Sequence, residues 1–466
     1  MSLEYTFHVK LPMQIYPEWK SWKDRIRHFT WAWHAVVMGT GAVSALLHNF
    51  PYNNSSEGLK VMALIFLFLN LIIFTFVCTC TILRYALYPE IWSKMIRHPA
   101  QSLFIGCFPM GAITLINSAL AVNQDWGTGG LPFLYTLWVF WWIDSIISYI
   151  IAFGMLYAMM VKQNHAIAKM SAVWLLPIVT LIVASSGGGL LATALRKHST
   201  TLALLTSGFS LTMVLIGLSL AFMVITVYLL RLLVHGPPDS TLILSAFLVL
   251  GPLGQGGFSL LVNGQLLSEL IPLHVGPDFP QSALAGQMIF SGCFCAAYLL
   301  FSMGVAWILV ALCSIGAVIR SSPVPFSMAY WGLIFPNGVF ALLVVQLGKV
   351  LDSPFFRAFG AIWSCVTFII WLCVFIRSIP SFIDGSLFKA PYVSDDLPEP
   401  APAPVLDITK SAVSELQLHD KLEDRLSGVF TVATSPSYET HGVDFSQFTP
   451  QKLSSSTTQS MPPRFR

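Results

Sequence analysis

Gly251-Pro-Leu-Gly-Gln-Gly-Gly-Phe258 sits where helix-breaking residues should be least welcome. It lies in the middle of an apolar run, residues 240–267, long enough to cross a bilayer, which takes about 20 predominantly apolar residues. The same interruption recurs along the chain. Met38-Gly-Thr-Gly41 interrupts a run at 29–50, and Gly106-Cys-Phe-Pro-Met-Gly111 interrupts one at 99–122. Pro177 followed by Ser185-Ser-Gly-Gly-Gly189 interrupts 172–195, and Phe335-Pro-Asn-Gly338 interrupts 326–349. Between these five runs lie five plain ones, at 59–88, 131–161, 201–234, 282–319 and 354–383. The sequence therefore predicts an all-α integral membrane protein of ten transmembrane helices in five hairpins, each made of a helix broken by Gly or Pro and a plain helix.

The composition of the 466 residues agrees with that class. Hydrophobic residues make up 55% and charged residues 10%, with 34 Phe and 14 Trp, and the mean hydropathy is +0.71. Soluble proteins carry about 25% charged residues, so this chain cannot clothe a water-soluble globule of its size. A soluble enzyme, a disordered scaffold and a secreted disulfide domain are excluded. A net charge of +3 gives no footing for nucleic acid. The eight cysteines lie in apolar stretches, and no Cys/His cluster has zinc spacing, so neither a metal nor a cofactor is expected. Residues 1–28 form a basic N-terminus without the apolar core of a cleavable signal. After residue 383 the chain turns rich in Pro, Ser, Asp and Glu. Residues 384–466 are expected to be a disordered tail with at most a short helix near 410–426.

Orientation follows from the basic residues. Lys10, Lys20, Lys23, Arg25, Arg27, Arg84, Lys94, Arg97, Lys162, Lys169, Arg231, Arg320 and Arg377 fall on one side, and only Lys60, Arg196, Lys197, Lys349 and Arg357 on the other. This puts both termini in the cytoplasm. Asn53-Asn54-Ser55-Ser56 then offers two overlapping glycosylation sequons on the outer side.

Proline removes a backbone donor and frees a carbonyl, which hydrocarbon leaves unsatisfied at a cost of several kcal/mol. The broken helices are thus expected to face a central pore, with the plain ones outside against lipid. Gly39, Thr40, Gly41, Pro109, Gly111, Asn117, Pro177, Ser185, Ser186, Gly187, Pro252, Gln255, Asn263, Pro336 and Asn337 are the candidate pore-lining or substrate residues. Hydroxyls and amides without mid-span carboxylates suit a small anion better than a cation. The alternatives for these residues are ordinary helix packing and hydroxyls bonded to their own helix. Two ionisable residues inside spans, His34 and Asp144, are candidates for proton coupling; each also admits a reading as a satisfied structural group. Lys349 and Asp352 are expected to pair at the end of the ninth span. An embedded hydrolase or transferase should show His with Asp or Glu, or Ser with a base, clustered on the inner helices, and none is visible. A sensor would depend on the tail.

Phe29-Thr-Trp-Ala-Trp33 opening the first of ten helices resembles the tellurite-resistance/dicarboxylate transporter family, which includes slow-type anion channels, malate permeases and sulfite efflux pumps. The resemblance covers about residues 25–385. Leu103-Phe-Ile-Gly-Cys-Phe-Pro-Met-Gly111 and Leu250-Gly-Pro-Leu-Gly-Gln-Gly-Gly-Phe258 are similar to the fungal sulfite pumps. Ile334-Phe-Pro-Asn337 and Leu347-Gly-Lys-Val-Leu-Asp352 are similar to malate permeases as well. The resemblance implies a plasma-membrane exporter of sulfite or bisulfite. The alternative is a proton-coupled malate or C4-dicarboxylate permease. That alternative is weakened because the Gly251–Phe258 motif lacks the arginine that two carboxylates would call for. It further implies that Phe335, matching the occluding aromatic of the family, is the pore gate. Trimers are known among bacterial relatives, which makes a homo-oligomer an open expectation.

Overall fold

A computed structural model describes residues 21–53, 56–274 and 281–393. The expected helix near 410–426, most of the tail and two residues of the sequons lie outside the described residues. Those described form helices and turns, without a strand. The twelve α-helices are α1 (Trp22–Arg27), α2 (His34–His48), α3 (Glu57–Leu87), α4 (Glu90–Arg97), α5 (Cys107–Trp126), α6 (Gly130–Val161), α7 (Leu176–Leu195), α8 (Thr200–His235), α9 (Leu250–His274), α10 (Ser282–Ser321), α11 (Ile334–Val350) and α12 (Pro354–Ile383).

Nine helical stretches among the described residues are long and apolar enough to cross a membrane. In the series of ten read from the sequence, α2 is the exception. Its 15 residues rise about 22 Å, short of a hydrocarbon core of about 30 Å. The helices alternate in burial as the Gly/Pro pattern requires. Between 61% and 94% of an apolar 18-residue stretch is buried in the spans that contain α5, α7, α9 and α11, against 22% to 39% in α3, α6, α8, α10 and α12. In α2, residues His34 to Ser44 are all buried. The outer helices display large apolar side chains such as Ile72, Ile150, Met223 and Leu309, which in hydrocarbon is the low-energy arrangement.

The five inner helices share one construction, and it refines the idea of a mid-span break. Each begins as a 3-10 segment and switches to α: Trp31–Trp33 before α2, Gln101–Gly106 before α5, Ala172–Leu175 before α7, Ile243–Val249 before α9 and Met328–Leu333 before α11. The prolines sit at the switch. Pro109, Pro252 and Pro336 are the third residues of α5, α9 and α11, and Pro177 is the second of α7. A proline in the first α turn has the right φ and costs few helix bonds, so the helices continue unbroken beyond it. The carbonyl beside one switch is taken up locally: Asn337 Nδ2 donates to Leu333 O at 2.8 Å.

Each inner helix packs on the outer helix that follows it, and the inner helices close a ring in the order α2, α5, α7, α9, α11 and back to α2. Tryptophans on outer helices fasten the layers. Trp141 Nε1 donates to Ala184 O at 2.8 Å, Trp307 Nε1 to Ala246 O at 2.9 Å, and Trp371 Nε1 to Thr40 Oγ1 at 3.2 Å. Each ties an indole's single donor to the inner ring while its apolar body fills the seam.

The packed unit extends beyond both compositional boundaries, 28 and 384. Leu387, Phe388, Ala390, Tyr392 and Val393 are buried. Phe388 meets Trp33 at 5.0 Å and Phe382 at 5.4 Å between ring centroids. The Arg84 guanidinium lies 5.4 Å from the Tyr392 ring. Arg25 donates to the carbonyls of Phe382 and Ile383 at 3.1 and 2.8 Å, joining the start of the unit to its end. His98 packs at a tilt against Tyr392, and burial holds its pKa below the ordinary histidine value.

Candidate functional site: two cavities on the axis of the inner ring

Residues from all five inner helices meet at two cavities. The first, of ≈ 60 Å³, lies at the proline level and is lined by Ala35 and Met38 of α2, Cys107 and Met110 of α5, Leu176 and Val179 of α7, Gly251 of α9, and Phe335 and Pro336 of α11. None of its lining side chains is charged. The second, of ≈ 180 Å³, is lined further along the same helices by Ser44 and His48, Asn117 and Asp125, Leu190 and Thr193, Gln255 and Phe258, and Leu342, with Lys60 from α3. Early residues of every inner helix line one cavity and later residues the other, so the inner helices run parallel. The barrier between the cavities is thin. On α9, Gly251 and Gln255 are one turn apart, about 6 Å, and on α11 Pro336 and Leu342 are about 9 Å apart.

Of the residues singled out from the sequence, Phe335 and Pro336 line the first cavity, and Asn117 and Gln255 the second. Phe335 is 5% exposed, with its ring on the axis side and not in lipid. Others are engaged between helices instead. Thr40 donates to Val36 O at 2.8 Å and accepts from Trp371. A Cβ at Gly39 would meet Ile334, one at Gly41 would meet Thr114 and Asn70, and one at Gly111 would meet Val37. One at Gly187 would meet Ile113 and lie 3.0 Å from Asn117 Oδ1. These are close helix crossings, tight at Gly39 and Gly111 and closed to any side chain at Gly41 and Gly187 unless a neighbour shifts. Pro109, Pro177 and Pro252 are buried at the switches, and Asn337 is spent on Leu333.

Four polar candidates, Gln255 among them, are bonded among α7, α8 and α9. Ser185 Oγ donates to Ser210 O at 2.6 Å and lies 2.6 Å from Ser259 Oγ. Asn263 Oδ1 accepts from Ser207 Oγ at 3.0 Å, and its Nδ2 donates to Ser259 O at 3.0 Å. Ser186 Oγ donates to Val183 O and accepts from Gln255 Nε2. With Asn263 wholly buried, Asn263→Ala strands the hydroxyl of Ser207 and should cost about 1–3 kcal/mol. The expected result is a lowered thermal midpoint in detergent. An unchanged midpoint would show that this bonding is dispensable for stability.

The two ionisable candidates lie off both cavities. His34, fully buried, stacks on Trp31 at 5.2 Å and meets Phe108 edge-on at 5.5 Å; its Nδ1 lies 3.3 Å from Trp31 O, and Nε2 has no partner among the described residues. Asp144, on outer helix α6, is 5% exposed and its Oδ2 is likewise without a partner. Lys349 and Asp352 do not pair. Lys349 Nζ donates to Asn49 Oδ1 at 3.2 Å, and Asp352 bonds Arg357. Asp352 has φ 48°, and this left-handed residue follows the end of α11, where the chain turns into α12. Sequence reasoning used Lys60 only for topology and passed over His48 and Asp125, which share the mouth of the second cavity.

A closed ring of parallel buried helices, sheathed by apolar helices and holding cavities on its axis, defines a membrane protein of the channel or transporter class. The chain belongs to the SLAC1 family, described as voltage-dependent anion channel, which it matches over residues 28–379. It is 35% identical to a sulfite efflux pump of Arthroderma otae over 366 residues, covering 78% of this chain and 93% of the relative. A sulfite efflux pump of Candida albicans is 29% identical, covering 76% of this chain and 73% of the relative. A malic acid transport protein of Schizosaccharomyces pombe is 24% identical, covering 86% and 89%.

Proposed function

We propose that the chain exports sulfite, as bisulfite, across the plasma membrane along the axis of the inner ring, with both termini in the cytoplasm. The observation that carries this reading is the pair of axial cavities to which all five inner helices contribute. The relatives named as sulfite efflux pumps supply the substrate. The first cavity is apolar, so the charge that crosses must be small. Ion desolvation grows with the square of the charge, which favours singly charged bisulfite over the dianion. An anion leaving a cell with a negative interior gains about 2.3 kcal/mol per charge for each 100 mV, so a passive path can drive efflux, and proton coupling through His34 or Asp144 is not needed. Phe335, on the wall of the first cavity, is the proposed gate. A trimeric assembly is compatible with the reading and is not required by it.

The second reading, malate uptake, is favoured by the malic acid transport relative. It asks for fixed cations facing two carboxylates, and the second cavity offers one lysine, Lys60, beside an aspartate. In cells lacking their own carriers, expression of the chain is expected to restore sulfite release and tolerance without uptake of labelled malate. Malate uptake without sulfite release would reverse the assignment.

A further inference from the structure

The mouth of the second cavity carries a charge arrangement that the path itself does not need. Asp125 at the end of α5 divides its carboxylate between two helices. Its Oδ2 lies 3.0 Å from His48 Nε2 at the end of α2, and its Oδ1 lies 3.7 Å from Lys60 Nζ in the first turns of α3. All three side chains are partly buried, at 27%, 18% and 21% exposure for His48, Asp125 and Lys60, and all three line the cavity. We propose that they form an anion-binding site switched by protons from their own side of the membrane, in which protonation of His48 frees Lys60 to hold the anion. The proposal rests on the anion-pathway reading and specifies where the anion is held.

With His48 neutral, its Nε2–H donates to Asp125 and the carboxylate still balances Lys60, so the three groups sum to zero. Adding a proton at Nδ1 makes the imidazolium the partner of Asp125 and leaves the ammonium uncompensated, for a sum of +1. Histidine is the side chain that changes charge between about pH 5 and 8, and a net positive cavity mouth concentrates anions. The other groups facing this site are few. On α3, Glu57 lies 3.8 Å from Lys60 but is 72% exposed, where water screens it. On α2, Asn49 is bonded by Lys349 of α11, and α5 adds Gln124. From α7, α9 and α11 the cavity receives only uncharged residues. Arg196 and Glu269, on α7's C-terminal side and α9, pair with each other.

A second observation points to a ligand. Ser118, 8% exposed, lines the same cavity, and its Oγ, able to donate to an anion, has no hydrogen-bond partner among the described residues. Buried polar atoms are ordinarily satisfied, and a hydroxyl facing a small oxyanion beside an ammonium would be.

The experiment is nitrate flux in liposomes holding the full chain, with pH stepped only on the side that bears the α2–α3 loop. Nitrate keeps one charge throughout this range, so its own protonation cannot mimic the effect. Wild type is expected to conduct about three- to tenfold more nitrate at pH 5 than at pH 8, as one added charge near the anion would give. His48→Gln should be low and flat with pH. Asp125→Asn should already be high at pH 8, because Lys60 is then unbalanced at every pH. Lys60→Gln, which leaves the mouth at −1 or, with His48 protonated, at zero, should be low at both pH values. A His48→Gln variant that keeps the wild-type pH response overturns the proposal, as does a well-folded Asp125→Asn variant that is low. No nitrate flux in any variant at any pH overturns the anion-pathway reading itself.

Discussion

Phe335→Ala is expected to fold and to raise the basal anion flux by about tenfold or more, equivalent to about 1.4 kcal/mol of barrier for each factor of ten. Phe335 stands on the wall of a cavity of ≈ 60 Å³, at one face of a barrier between one and two helical turns thick. An aromatic ring there narrows the axis and excludes water, so an anion cannot keep its hydration while passing. Removing the ring enlarges an existing cavity and strands no polar group, so the loss of stability should fall at the low end for such truncations, about 3 kcal/mol. The wider path should also discriminate less, passing chloride and nitrate more nearly as well as sulfite. Single-vesicle flux or patch recording of the purified variant decides the point. Unchanged flux in a monodisperse variant would move the gate to the far side of the barrier, where Phe258 and Leu342 line the second cavity.

Gly254→Ala is expected to be among the most damaging single methyls in the inner ring. A Cβ at Gly254 would lie 2.6 Å from Phe340 N, 2.7 Å from Phe340 Cα and 2.8 Å from Val339 C. These are backbone atoms of α11 and cannot swing aside. Nor can α11 retreat, because Phe340 is fully buried, with its ring stacked at 5.9 Å on Phe301 and packed edge-on against Trp363. Overpacking of this kind costs about 1–3 kcal/mol, out of a total stability of roughly 5–15 kcal/mol. The expected outcome is a thermal midpoint lowered by several degrees, or loss of the monodisperse peak in detergent. Gly251→Ala is the internal control. One turn earlier on the same helix, a Cβ there meets nothing nearer than Val179 Cγ1 at 3.9 Å. It should be neutral, or gain up to about 1 kcal/mol in helix propensity. Equal damage from both would mean that α9 tolerates no alanine for reasons unrelated to the α11 contact.

The alternation of inner and outer helices was legible because its signal is local. Proline and glycine act on the backbone that carries them, and Pro109, Pro177, Pro252 and Pro336 mark four of the five inner helices wherever the chain goes. The position of the switch within each span was less legible, since the preceding 3-10 turn is as apolar as the helix it precedes. Which polar residues face the axis was not legible either. An inner helix is apolar all round, so its sequence carries no periodicity to tell the lumen side from a crossing. Thr40, Ser185 and Asn263 turned to their neighbours for that reason, while Gln255 reached the second cavity. The His48–Asp125–Lys60 cluster was invisible for another reason. His48 and Asp125 are 77 residues apart and meet only because the first and second inner helices end at the same depth.

The contacts of Arg25 with Phe382 and Ile383, and of α11 with α2, mean that the fifth seam of the ring is made without a covalent link. The other four seams are each spanned by the chain through an outer helix and its loops, yet the inner helices are in contact at all five. A ring of this kind has no geometrically first member. Ribosomal order is written into the loops alone, and a circular permutant that opened the chain at another outer-to-inner loop and sealed residues 21 and 393 with a linker would present the bilayer with the same object. What distinguishes the natural opening is that its two ends lie side by side, with the closing seam held by side chains and backbone that the rest of the ring does not need.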